Sequence, residues 1–208
     1  MRRRIRQARW TVPLLAGLFG AFMAGAGPSG REQALQREIS GQVLRLHVIA
    51  NSDSQGDQEQ KIRVRDGVLE TLEPLLSGAE SAGESRRLTE EHLEQVEAAA
   101  RQVLEEEGSD RTVRAELSWE WFPERTYGEY TLPEGEYEAL RVEIGEGGGH
   151  NWWCILYPGL CFTGAVRPAE EDGKAFEGVL TEEAYDFICH PARTRIRFRW
   201  LPFSLEDF

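Results

Sequence analysis

Gly145–Phe162 reads GEGGGHNWWCILYPGLCF, and how this stretch is placed decides the fold. Gly145, Gly147, Gly148 and Gly149 resist regular structure and allow positive φ. Bulky side chains then run without a break from Trp152 to Tyr157. A strand sends successive side chains to opposite faces, so Trp153, Ile155 and Tyr157 share one face and Trp152, Cys154 and Leu156 the other. Both faces are apolar, so both must be covered, by the chain's own core or by a partner. Two readings are open: a central core strand, or a docking surface built from the Gly loop and one aromatic face. Burying each aromatic is worth about 1.5–3 kcal/mol in either case, so energy alone does not choose.

The chain has 208 residues with 40% apolar content, enough for one domain with a real core. Its net charge of −12 hides an asymmetry, because Arg2, Arg3, Arg4, Arg6 and Arg9 all lie in the first ten residues. Beyond them stand 19 basic against 36 acidic residues, a net of −17. So acidic a body repels phosphate backbones, which argues against nucleic-acid binding.

Met1–Trp10 is a basic leader and Thr11–Met23 an uncharged apolar run, with small residues after it at Ala24-Gly25-Ala26. The run is short for a membrane span of about 20 residues. Residues 1–26 are therefore expected to be a signal peptide, or else an uncleaved signal anchor. The charge order predicts export of the body of the chain, with only transient membrane contact through this segment.

From about Ser29 the expected elements are a short helix over Glu32–Ser40, a strand over Gln42–Ala50 and a helix starting near Asp57. Asn51–Ser54 supply the stop and the helix N-cap. A second main helix is expected over Arg86–Glu107 and a strand over Val113–Phe122. In that strand Val113, Ala115, Leu117, Trp119 and Trp121 point inward and the polar face is solvated. Pro123–Gly135 reads as turns, Tyr137–Ile144 as a strand and 163–180 as a flexible loop. Thr181–Ile188 reads as a helix and Arg193–Trp200 as a closing strand. The arginine row of that strand could bind an acidic partner, but reads first as a solvated face or as paired across strands with acids such as Glu116 and Glu120. The sum is α+β: one domain with a mixed or antiparallel sheet of about five strands and two main helices packed on it. Its core spans 29–162 and its C-terminal helix and strand 181–208.

Cys154, Cys161 and Cys189 sit in a chain expected to be exported, where disulfides persist. A tight turn at Pro158-Gly159 leaves Cys154 diagonal to Cys161, near the limit of reach. A slightly wider loop allows the bond, worth about 2.5 kcal/mol in the loop-entropy view. Cys189 is then free or intermolecular. The spacing of the cysteines with His190 fits no zinc motif. A Cys–His nucleophile would need Cys154 or Cys161 near His47, His92, His150 or His190, but these thiols are flanked by bulky apolar residues. Asp53 with Asp57 reads as turn and cap chemistry before acid–base catalysis. No nucleotide, zinc-protease or serine-hydrolase fingerprint is present, and no cofactor is expected.

LRLHVIANSDS (Leu44–Ser54), DQEQKIRVRDGVL (Asp57–Leu69), YGEYTLPEGEYEALRVEIGEG (Tyr127–Gly147) and NWWCILYPGLCF (Asn151–Phe162) together resemble the stage II sporulation protein R family. Gly148, Gly149 and His150 stand where that family tends to carry lysine, and Gly159 where a second proline is usual. The resemblance implies a signalling protein rather than an enzyme, exported by the forespore into the space between the two sporulation membranes. There it would activate a membrane-embedded aspartic protease of the mother cell, which processes a sigma-factor precursor. The expected partner surface is Trp152, Trp153, Tyr157, Leu160 and Phe162. The alternative is a secreted hydrolase using His47, Asp53 and a cysteine.

Overall fold

The structure is a computed structural model that describes residues 30–161 and 175–191. The expected signal segment, Phe162, residues 163–174 and the expected strand Arg193–Trp200 lie outside the described residues. The chain divides into two units: Leu35–Pro191, and one made of the chain ends, of which only 30–34 are described. The elements are α1 (Gly30–Gly41), β1 (Leu44–Ile49), α2 (Gln55–Leu76), α3 (Ala82–Glu91), α4 (Leu93–Glu106), β2 (Val113–Phe122), β3 (Arg125–Tyr127), β4 (Tyr130–Leu132), β5 (Gly135–Ile144), β6 (Asn151–Tyr157) and α5 (Glu182–Cys189).

Four strands form a mixed sheet in the order β2-β5-β1-β6, and β3 and β4 form a separate hairpin. β1 runs parallel to β5 and antiparallel to β6, while β2 runs antiparallel to β5. The class is α+β, as the unequal mix of helices and strands implies. β1 is central, which is why it is apolar on one face and half-apolar on the other. Leu44, Leu46 and Val48 meet Val64, Val68, Leu72 and Leu76 of α2 and Val96, Ala100 and Leu104 of α4. The opposite sheet face carries a second cluster with Leu35 and Ile39 of α1, Tyr130 and Leu132 of the hairpin, Phe176, and Ala184 and Ile188 of α5.

Five expectations are corrected by this packing. The helix expected over Arg86–Glu107 is two, because His92 leaves helical geometry at φ −116° and ψ 15°, its Nδ1 2.7 Å from the Leu88 carbonyl oxygen. Part of the turn-rich 123–135 segment is the β3–β4 hairpin, and Phe176, within the expected flexible loop, is fully buried against Tyr130. Trp119 and Trp121 are 60% and 64% exposed rather than inward. Val113, Ala115 and Leu117 join the helix-covered core, and the sheet runs on past that cover with the tryptophans. The opposite face of β2, expected solvated, is half-buried at Glu116, Ser118 and Glu120.

Candidate functional site

β6 is the edge strand next to β1, and its two tryptophans do part company. Trp152 packs toward the helix-covered core under the Arg65 guanidinium, 4.3 Å from the ring centroid. Trp153 lies on the other face under Arg125, also at 4.3 Å. Strict alternation then fails. A register shift between Leu44 and Arg45 pairs them with Tyr157 and Ile155, leaving Leu156 as the extra residue of a bulge. Tyr157 consequently packs with the helix-side core, contrary to the face expected for it, and its hydroxyl donates to the Glu80 carbonyl at 2.9 Å.

After the cis Tyr157–Pro158 peptide, the Cys161 amide donates to the Ile155 carbonyl at 3.0 Å. Cys154 and Cys161 are disulfide-bonded with their Cα atoms 5.8 Å apart, so the loop takes the wider form rather than the tight turn. Leu160 is 2% exposed in the second core, so it holds the hairpin from inside, while Trp152, Trp153 and Tyr157 keep part of their surface.

The Gly loop is stitched down. Gly148 and Gly149 donate to the Asn51 and Ala50 carbonyls at 3.1 and 2.9 Å, and the Glu146 amide donates to Asn51 Oδ1 at 3.1 Å. Gly149 must be glycine because a Cβ there would overlap the Ser52 carbonyl, and Gly145 and Gly147 take φ of +59° and +60°. The His150 amide donates to Asp53 Oδ1 at 2.7 Å and its ring pairs with the same carboxylate, which pulls Asp53 below its ordinary range.

Asp57 anchors the facing turn. It accepts from Asn51 Nδ2 at 2.8 Å and Ser52 Oγ at 2.5 Å and pairs with Arg111 at 2.6 Å. Those hydrogen bonds, with Arg111 behind them, hold its carboxyl below the usual range against the opposing effect of burial. Lys61 donates to the His150 carbonyl at 2.8 Å, and burial lowers its pKa.

On the second face, Arg45 is fully buried. Its guanidinium lies 3.9 Å from the Phe122 ring centroid and 4.7 Å from that of Tyr137, and Nη2 donates to Tyr127 Oη at 2.6 Å. Burial lowers its pKa. Its Nε and Nη1 and the Nε2 of His47 are buried without a hydrogen-bond partner among the described residues. His47 Nδ1 pairs with Glu120, which Arg141 also contacts at 3.2 Å. Burial works to raise the Glu120 pKa, but His47 and the Ser118 hydroxyl outweigh it and the net shift is downward.

The trio of the hydrolase alternative is not brought together. His47 is engaged by Glu120 and Asp53 by His150. Cys154 and Cys161 are bonded to one another, and burial raises the pKa of the free Cys189 thiol. Among the described residues no group of His, Cys, Asp and Glu could hold a metal ion. The sequence reading missed the Arg45 box; it expected His47 as a half-buried strand histidine bonded to a neighbour, as it is, without naming Glu120 as the partner. The signal for both was a cation and a histidine on alternate positions of an otherwise apolar strand, facing acids and aromatics on β2 and β5.

Residues 40–167 match the family model described as stage II sporulation protein R. Stage II sporulation protein R of Bacillus subtilis (strain 168) is 36% identical over 141 residues, a match covering 66% of this chain and 63% of that protein. The shared region is therefore less than two thirds of the relative's length. No solved structure matches the chain. The matched span takes in β1, the Asp57 turn, the Gly loop and the disulfide hairpin, and with them the whole sheet. This chain belongs to the stage II sporulation protein R family.

Proposed function

We propose that the protein is an exported messenger of endospore formation. It acts between the forespore and mother-cell membranes, where it activates a membrane-embedded aspartic protease that processes a sigma-factor precursor. The observation that carries this reading is the family match over 40–167, which places the chain in sporulation. The messenger role and the protease as partner extend the family resemblance. The basic, then apolar, N-terminal segment supports export, with a membrane-anchored form if that segment is uncleaved. A disulfide suits such a compartment.

The partner surface we assign is the rim of the β6 hairpin, where Trp153 and Tyr157 keep exposed area and Leu160 supplies buried backing. Phe162, also expected in the partner surface, lies outside the described residues. Large amphipathic aromatics over a rigid base are the side chains that dominate protein interfaces.

The test is precursor processing in sporulating cells. A strain lacking the chain should leave the precursor uncut, and uncut precursor should also result from Trp153→Ala with a nearly unchanged melting temperature. Normal processing in the deletion strain would end the signalling reading. Normal processing by folded Trp153→Ala and Tyr157→Ala proteins would end the surface assignment alone.

A further inference from the structure

The β3–β4 hairpin is not part of the four-stranded sheet, yet one of its side chains reaches across to β6. Arg125, exposed at the first position of β3, lies with its guanidinium 4.3 Å from the Trp153 ring centroid. No strand pairing joins the two elements, so the backbone alone does not oblige this contact. What holds Arg125 in place is the anchorage of its hairpin. The rungs are Arg125↔Leu132, Thr126↔Thr131 and Tyr127↔Tyr130, with Leu132 and Tyr130 buried in the second core. The Thr126 and Thr131 hydroxyls meet at 3.0 Å. By the two-residue period Tyr127 shares a side of β3 with Arg125, and its hydroxyl accepts from the buried Arg45 at 2.6 Å. Arg45 stands on β1, the strand paired with β6, so the hairpin is pinned beside the part of the sheet that carries Trp153.

The indole also has ring neighbours within the sheet. His47, its cross-strand partner, lies 5.9 Å away between ring centroids, and Phe122 lies 6.5 Å away. The rest of the half-buried Trp153 ring meets Arg125. Trp152 is held differently. Its Nε1 is buried, and the Arg65 above it is tied to Asp66 through Nε and Nη2 at 2.8 and 2.6 Å. Trp152 is thus fixed by the core, whereas the outer restraint on Trp153 among the described residues is one exposed cation. A guanidinium over an exposed indole contributes little to the stability of a fold, but it narrows the poses of the ring it covers.

We infer that Arg125 is a positioning residue of the partner surface: it holds the Trp153 indole in one pose, so that the partner meets an anchor already ordered. The inference rests on the reading of the β6 rim as that surface. A side chain ordered before contact loses less freedom on docking, and an exposed cation contact sets the gain at about two- to fivefold. Arg45 and Tyr127 serve the same end by fixing the strand from which Arg125 reaches.

Nitrogen relaxation of the Trp153 indole N–H, identified by its loss in Trp153→Phe, reads the pose directly. Its order should fall in Arg125→Ala and be partly restored in Arg125→Lys, with the melting temperatures of both unchanged. In the deletion strain, with the full chain produced at graded levels, half-maximal precursor processing should need about two- to fivefold more Arg125→Ala than wild type. Equal indole order in wild type and Arg125→Ala overturns the inference and leaves the partner surface standing. A lowered melting temperature in Arg125→Ala, or wild-type processing by it despite a loosened indole, overturns it equally. Normal processing by Trp153→Ala removes Trp153 from the surface and this inference with it; the surface reading itself falls only if Tyr157→Ala is normal as well.

Discussion

Asp57 shows how much of the site is turn chemistry. One carboxylate gathers Asn51, Ser52 and Arg111, joining the end of β1, the first turn of α2 and the segment before β2. Its pKa is depressed in the folded state, so the unfolded chain binds its proton more readily. The stability it contributes is therefore fully present above the unfolded value of about 3.9 and is lost as pH falls through the lower folded value. Asp57→Asn should lower stability at neutral pH, and the gap to wild type should begin to narrow only below about pH 4. Urea melts at both pH values check this, and a gap that stays constant into acid contradicts it. Arg45 sits at the other extreme. A buried cation costs several kcal/mol unless it is compensated, and its compensation is three aromatic rings and one phenol rather than a carboxylate. The periodicity of β1 puts Arg45 on a face but says nothing of what that face meets. A solvated arginine and a caged one look alike until β2 and β5 are laid beside it.

At the level of elements, legibility followed locality. The N-cap of α2 was readable from Asn51–Ser54, and Ser54 does accept from the Asp57 amide. The core stripe of α4 and the strand identity of β1, β2, β5 and β6 were equally plain. Two misreadings had non-local causes. Tyr157 changed face because a bulge at Leu156 adjusts β6 to β1, and Trp119 and Trp121 turned out exposed because the helix-covered core reaches along β2 only as far as Leu117. Alternation reports which residues share a face; it does not report how far the cover extends. The Cys154–Cys161 bond secures the bulged end of β6, closing a short loop onto the core. Cys161→Ser should cost about 2.5 kcal/mol by loop entropy, and a reductant should lower the wild-type melting temperature but not that of the variant. Equal sensitivity of the two proteins to reductant would show that the bond does not form in solution.

At the scale of the molecule, one sheet separates two cores, and every other element is placed by which side of it is covered. The helices α2, α3 and α4 serve one side, and α1, the β3–β4 hairpin and α5 serve the other. β1 has strands on both edges and apolar cover on both faces, so its amides can exchange only when the sheet comes apart. β2 has a neighbour on one edge, and its outward amides at Leu117, Trp119 and Trp121 face no strand among the described residues. Hydrogen exchange should therefore rank Leu46 and Val48 among the slowest amides, opening at the global unfolding free energy, while those three exchange at rates near those of surface loops. The ranking separates a sheet organised around β1 from one organised around the aromatic strand. If the β6 amides outlast those of β1, the centre of the fold lies at the disulfide hairpin and β1 is the dependent partner. If Leu117, Trp119 and Trp121 are protected in the isolated protein, their edge already has an occupant.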